Sequence, residues 1–173
     1  MQLYKAVNGD FDKIRALYWD IIDQMRDAEY KPMWEKGVYP SDDALVSAIN
    51  AGTLYYAMEN GELIAAMVVN HNCSKEYELV HWEVEAQPEE VSVIHMLGVL
   101  PDFHGKGVAR FMVESAQRIA RENNQKVMRL DVLEGNLPAE KLYVKYGFKY
   151  LETLKLFYED TGWANFKMYE CKL

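Results

Sequence analysis

Only two cysteines occur in the 173 residues, Cys73 and Cys171, far apart and outside any CxxC spacing. A disulfide framework and a zinc site are therefore not indicated, and a reducing cytoplasm is the expected compartment. Histidine is equally sparse: His71, His81, His95 and His104 share no metal-ligand pattern on one helix face, so no metal is expected. Basic runs are missing, and 19 Lys plus Arg stand against 27 Asp plus Glu for a net charge of −8, which argues against nucleic acid as a partner. No stretch approaches the roughly 18 apolar residues that cross a bilayer, and the opening MQLYKAVNGD carries no apolar leader segment, so neither membrane insertion nor export is expected. Repeats, low-complexity tracts and linkers are also lacking.

What is present is core-forming material. Half of the residues are hydrophobic, ample for one domain spanning 1–173. Gln2 to Val7 reads as a strand, and Asp10 as the cap of a helix with the apolar stripe Ile14, Leu17, Tyr18, Ile21, Ile22 and Met25. Ser41 is placed to cap a short second helix. Asn60-Gly61 supplies the positive φ angles of a tight turn between strands Thr53–Glu59 and Glu62–Asn70. Residues 71–90 read as a short helix or an irregular excursion closed by Pro88. Lys126 to Leu133 reads as a strand, a helix follows Asn136 and ends at Gly147, and Phe148–Tyr158 with Phe166–Leu173 close the chain as two strands around a turn containing Gly162. Alternating strands and helices predict an α/β layered domain with a mixed sheet.

The stretch VSVIHMLGVLPDFHGKGVAR, Val91 to Arg110, carries the most chemistry. Its first half reads as a strand with both faces buried, ended by Pro101. Phe111, Met112, Ala116, Ile119 and Ala120 fall 3, 4, 8, 11 and 12 residues after Val108, which is helical spacing. Gly105 and Gly107 thus lie where a strand gives way to a helix, a place where backbone N–H groups and the helix dipole converge on an anion. A Walker A loop needs Ser or Thr after Gly-Lys, and here Gly107 follows; a dinucleotide fingerprint needs three glycines in the turn.

The His-Gly-Lys-Gly-Val-Ala run resembles the pyrophosphate loop of the GNAT acetyltransferases, Gln/Arg-x-x-Gly-x-Gly/Ala, with Gly107 and Ala109 on the last two defined positions and His104 where the family usually has Gln or Arg. A second segment, Asn136-Leu-Pro-Ala-Glu-Lys-Leu-Tyr-Val-Lys-Tyr-Gly-Phe148, resembles the family's Asn, Ala, Leu-Tyr and Gly-Phe series about thirty residues later. The resemblance implies a mainly antiparallel mixed sheet flanked by helices on both faces, with the phosphate loop between the fourth strand and the third main helix. It implies an acetyl-CoA-dependent N-acetyltransferase that moves the acetyl group to a primary amine by direct attack in a ternary complex. A non-catalytic coenzyme A or acyl-CoA binding module, such as a sensor, is the alternative, and a homodimer is left open.

That chemistry assigns candidates. The amine must lose a proton, because an ammonium has no lone pair; His95 is the candidate base, and a core histidine is the competing reading. Glu83 and Glu85 are weaker competitors. The departing thiolate needs a proton, for which Tyr143 matches the family's Tyr; an aromatic on the helix's apolar stripe is the other reading. By the same resemblance Leu97, Gly98 and Val99 hold the cofactor arm through backbone groups. His104, Gly105, Lys106, Gly107, Val108, Ala109 and Arg110 hold the pyrophosphate, while Asn136 and Ala139 contact the cofactor, Asn136 being equally readable as a helix cap. The acceptor is a small-molecule or peptide amine, with Trp34, Tyr39 and Trp163, aromatics in expected loops, as its candidate pocket.

Overall fold

A computed structural model describes residues 1–173. Seven strands form one mixed sheet in the order β1-β2-β3-β4-β5-β7-β6, flanked by helices. The strands are β1 (Gln2–Lys5), β2 (Leu54–Glu59), β3 (Glu62–Asn70), β4 (Val91–Val99), β5 (Val127–Leu133), β6 (Lys149–Tyr158) and β7 (Gly162–Lys172). The helices are α1 (Phe11–Gln24), α2 (Asp42–Asn50), α3 (Val108–Glu122) and α4 (Leu137–Lys145). By its internal contacts the chain forms two compact units: residues 1–69 with 95–112, and residues 70–94 with 113–173. No helix is long and apolar enough to cross a membrane.

In the first unit β1 and β2 pair antiparallel, as do β2 and β3. The Asn60-Gly61 turn has φ of 52° and 85°, the left-handed pair expected of that dipeptide. Ile14, Leu17, Tyr18 and Ile21 of α1 pack with Leu45, Ala48 and Ile49 of α2 and with Leu54, Tyr56, Ala66 and Val68 of the sheet. Ser41 caps α2 as expected, its Oγ accepting the Ala44 N–H at 3.2 Å. Asp10 stands at the N-cap position of α1, but its side chain makes no capping hydrogen bond there. It lies in a 3₁₀ turn, Asn8–Asp10, where its carboxylate accepts the Val7 N–H at 2.9 Å and pairs with Lys13 at 2.7 Å.

In the second unit β5 pairs parallel to the start of β4, from Val91↔Val127 to Val93↔Arg129, and antiparallel to β7, which pairs β6 in turn. Residues 71–90, ambiguous in the sequence, contain two 3₁₀ turns, Lys75–Leu79 and Pro88–Glu90. Tyr77 and Val80 bury themselves with Val91, Val93, Val127, Leu156, Phe166 and Met168. β7 begins four residues earlier than the sequence suggests, because the hairpin ladder runs to Tyr158↔Gly162. Trp163 is therefore a strand residue and not a loop aromatic.

Candidate functional site

β4 breaks its own regularity in the middle. Its residues are buried on both sides from Val91 to Ile94 and again at Gly98 and Val99, but His95, Met96 and Leu97 are half-exposed. The expectation of a strand buried on both faces fails there. The β4–β5 pairs end at Val93↔Arg129, just before this stretch, and within it Met96 has a φ of 54°, a non-glycine residue in the left-handed region. Such outliers are costly and gather at functional sites. The Tyr18 hydroxyl donates to the Met96 carbonyl at 2.8 Å.

Around this kink lie two of the expected acceptor residues. Trp34 meets the Tyr18 ring edge-on at 5.6 Å, and Tyr39 meets Trp34 at 6.2 Å. Gly98 permits this approach: a Cβ there would come within 2.9 Å of Ile21 Cδ1 and 3.2 Å of the Trp34 ring. Loop aromatics, a glycine and a kinked strand thus form one assembly within the first unit.

Beyond β4 a 3₁₀ turn, Pro101–Phe103, leads into the loop. Gly105 and Gly107 have φ of 73° and 85°, and a Cβ on either would meet nothing within 4 Å. Glycine is needed here for its left-handed backbone and not for lack of room. The Phe111 N–H donates to the Gly107 carbonyl at 3.0 Å and opens α3, so the N–H groups of Gly107, Val108 and Ala109 precede the first intrahelical bond. Lys106 is exposed, with Nζ 5.1 Å from the Phe103 ring centroid, and Arg110 is exposed as well. Backbone donors, a positive dipole end and an exposed cation suit a pyrophosphate. His104 turns the other way, its Nε2–H donating to the Val99 carbonyl at 3.0 Å, so it ties the loop to β4.

The second unit holds the remaining candidates. Asn136 caps α4, its Oδ1 accepting the Ala139 N–H at 3.3 Å, which realises the capping reading. Tyr143 is buried in α4 with its ring edge-on to Phe148 at 5.4 Å. Burial, and then the nearby Asp131 carboxylate, push its phenol well above the usual tyrosine range. Asp131 accepts a hydrogen bond from the Tyr77 hydroxyl at 2.6 Å. Trp163 is 67% exposed and its ring meets that of Phe157, its cross-strand partner, tilted by 59° at 5.6 Å. Glu83 and Glu85 are exposed, and Glu83 pairs with Lys149.

Sequence reasoning missed Met96, Tyr18 and Asp131. Methionine gives no local sign of a left-handed backbone. Tyr18 carried a sign, since a hydroxyl inside an apolar stripe requires a partner, and Asp131 stands out as a carboxylate within an otherwise largely apolar strand.

The comparisons agree with this geometry. A 19%-identical acetyltransferase of the GNAT family from Streptococcus agalactiae superposes with a TM-score of 0.77 over 99% of this chain and 95% of that one. A structure from Salmonella typhimurium, assigned as an acetyltransferase and solved with its cofactor acetyl-CoA, is 17% identical and superposes with a TM-score of 0.72 over 100% of this chain and 94% of its own. An uncharacterised N-acetyltransferase of Archaeoglobus fulgidus is 36% identical over 63 residues, which is 36% of this chain. The chain spans only 33% and 43% of the length of the two curated relatives it matches. The model of the Acetyltransferase (GNAT) family matches residues 15–148, most of the chain and both of its motif segments, and on that match the chain belongs to the GNAT acetyltransferases.

Proposed function

We propose that this chain is an acetyl-CoA-dependent N-acetyltransferase acting on a primary amine by direct attack in a ternary complex. The observation that carries the reading is the left-handed kink at Met96, set in a half-exposed stretch of strand and followed by a left-handed glycine loop that opens a helix. Acetyl-CoA supplies an activated thioester carbonyl. The N–H groups from Gly105 to Ala109 bind its pyrophosphate, with Lys106 and Arg110 as flanking cations, and the Leu97–Val99 backbone holds the pantetheine arm. Strand N–H groups at the kink stabilise the charge that builds on the carbonyl oxygen.

His95 receives the proton that the amine must lose, a neutral imidazole being a competent general base. Tyr143 serves the sulfur. Its phenol, held protonated by burial and Asp131, donates a hydrogen bond throughout the physiological range. A phenol less acidic than a thiol keeps its own proton, so Tyr143 stabilises the departing thiolate by hydrogen bonding, and the thiolate takes the second proton, which the attacking nitrogen sheds as the amide forms and the C–S bond breaks. Trp34 and Tyr39 line the acceptor side.

The test is thiol release from acetyl-CoA by the purified protein across a panel of small amines, amino acids and peptides. Turnover with at least one amine is expected. Tight coenzyme A binding with no turnover on any acceptor would replace this reading with a binding module.

A further inference from the structure

Tyr18 was legible only as part of a core stripe, and its position gives it a more specific task. It is 1% exposed, so its hydroxyl cannot turn to water, and that hydroxyl is spent on one acceptor, the Met96 carbonyl at 2.8 Å. Met96 is the residue of β4 whose φ is positive, in a conformation that costs free energy for any side chain with a Cβ. A strained carbonyl and a buried donor thus occupy one hydrogen bond. The ring of Tyr18 is fixed in turn by the Trp34 edge, and Trp34 is seated against Gly98, two residues beyond the kink.

We propose that Tyr18 is a positioning residue for acyl transfer: its hydroxyl clamps the Met96 carbonyl and so holds β4 in the kink that aims strand N–H groups at the reacting carbonyl. This rests on the acetyltransferase reading above. Tyr18 touches no substrate and acts only through the backbone of His95–Leu97. A donor displaced from the position of the developing oxyanion loses rate and not ground-state affinity, because the charge it serves exists only in the transition state.

Tyr18→Phe removes the hydroxyl and keeps the ring. The expected result is a kcat lower by about ten- to a hundredfold, with a clearly smaller loss, about a few fold, in coenzyme A affinity by calorimetry, because the backbone that holds the pantetheine arm adjoins the kink. Adding Met96→Gly should restore most of the lost kcat, because glycine adopts a left-handed φ without a clamp. A structural role alone would lower thermal stability without this split and without rescue. Met96→Val in the wild-type background is the second probe, since a branched Cβ resists the kink even with Tyr18 intact; it should lower kcat by more than cofactor affinity. A folded Tyr18→Phe with wild-type kcat, or equal losses of kcat and cofactor affinity, would overturn the proposal.

Amide NMR reads the clamp without turnover. Tyr18→Phe should shift the His95–Gly98 amides and leave those of Gly105–Val108 in place. If the wild type releases no thiol with any amine, acetyl transfer fails as the function, while these shifts still decide whether Tyr18 holds the kink. Unmoved His95–Gly98 amides would end the clamp as well.

Discussion

Arg129 and Glu170 face each other on β5 and β7, Nε to Oε2 at 3.1 Å, and both are nearly buried. Both side chains also bond the backbone of the preceding excursion. Glu170 Oε1 accepts the N–H groups of Glu83 and Val84 at 2.9 and 3.0 Å, Arg129 Nη2 donates to the Val84 carbonyl at 2.8 Å, and the Trp82 ring covers the guanidinium at 4.3 Å. One ion pair thus ties residues 82–84, which have no strand partners, to the sheet.

Glu170→Ala is expected to cost about 3–5 kcal/mol, because it leaves a buried guanidinium without its counter-charge. The double change Arg129→Met with Glu170→Leu should recover most of that in a denaturant melt. It should not recover the tether. Limited proteolysis should cut both variants within residues 71–90 faster than wild type, and equal cleavage rates would refute the latch.

Gly107→Val should weaken coenzyme A binding in calorimetry through backbone strain, since φ is 85° and no protein atom lies within 4 Å of the added Cβ. The strain is worth about 1–2 kcal/mol. Gly107→Asn is expected to retain more affinity than Val, because asparagine tolerates the left-handed region. Equal losses in the two variants would point to steric exclusion of the ligand instead.

Tyr143→Phe should leave cofactor affinity intact and lower kcat by roughly a hundred- to a thousandfold, the usual effect of removing one donor to a developing anion. The folded protein holds the protons of the buried phenols of Tyr18, Tyr77 and Tyr143 above their ordinary range. Their folded values are raised, so this stability is complete below pH ~10 and is lost as pH rises past it. In a phenolate absorbance titration these three should appear only with unfolding, and early titration of all 12 tyrosines would contradict their burial.

His95→Gln should lower kcat/KM by removing the group that accepts the amine's proton. The loss is expected to be largest on the acid side, where the amine is most protonated. A profile identical to wild type would place amine deprotonation in solvent.

Gly98→Ala tests the acceptor side. The added methyl meets Ile21 Cδ1 and the Trp34 ring, and overpacking of this kind costs about 1–3 kcal/mol. Because Trp34 must give way, the acceptor KM should rise by more than cofactor affinity falls. An unchanged acceptor KM would remove Trp34 from the pocket.

The element order was legible because its signals are local. Ser41 names its own helix, Asn60-Gly61 its own turn, and the glycines of the loop lie where strand spacing becomes helical. Trp163 was misplaced because the β6–β7 ladder, and not the turn residues, decides where β7 begins. His95, Gly105, Gly107 and Tyr143 could be named from motif and chemistry. Met96 could not, since its conformation is held by a hydroxyl 78 positions away in the chain.

The two units are each assembled from separate stretches, 1–69 with 95–112 and 70–94 with 113–173. For a chain emerging from the ribosome, neither unit is complete when the residues of the next begin to appear. β5 ends at Leu133, but β7, which lies between it and β6, occupies Gly162–Lys172. During synthesis the β5 edge therefore waits bare for about thirty residues of further chain. Nascent chains stalled between Leu133 and Gly162 should recruit chaperones, and a contiguous fragment taken from either unit should not fold by itself.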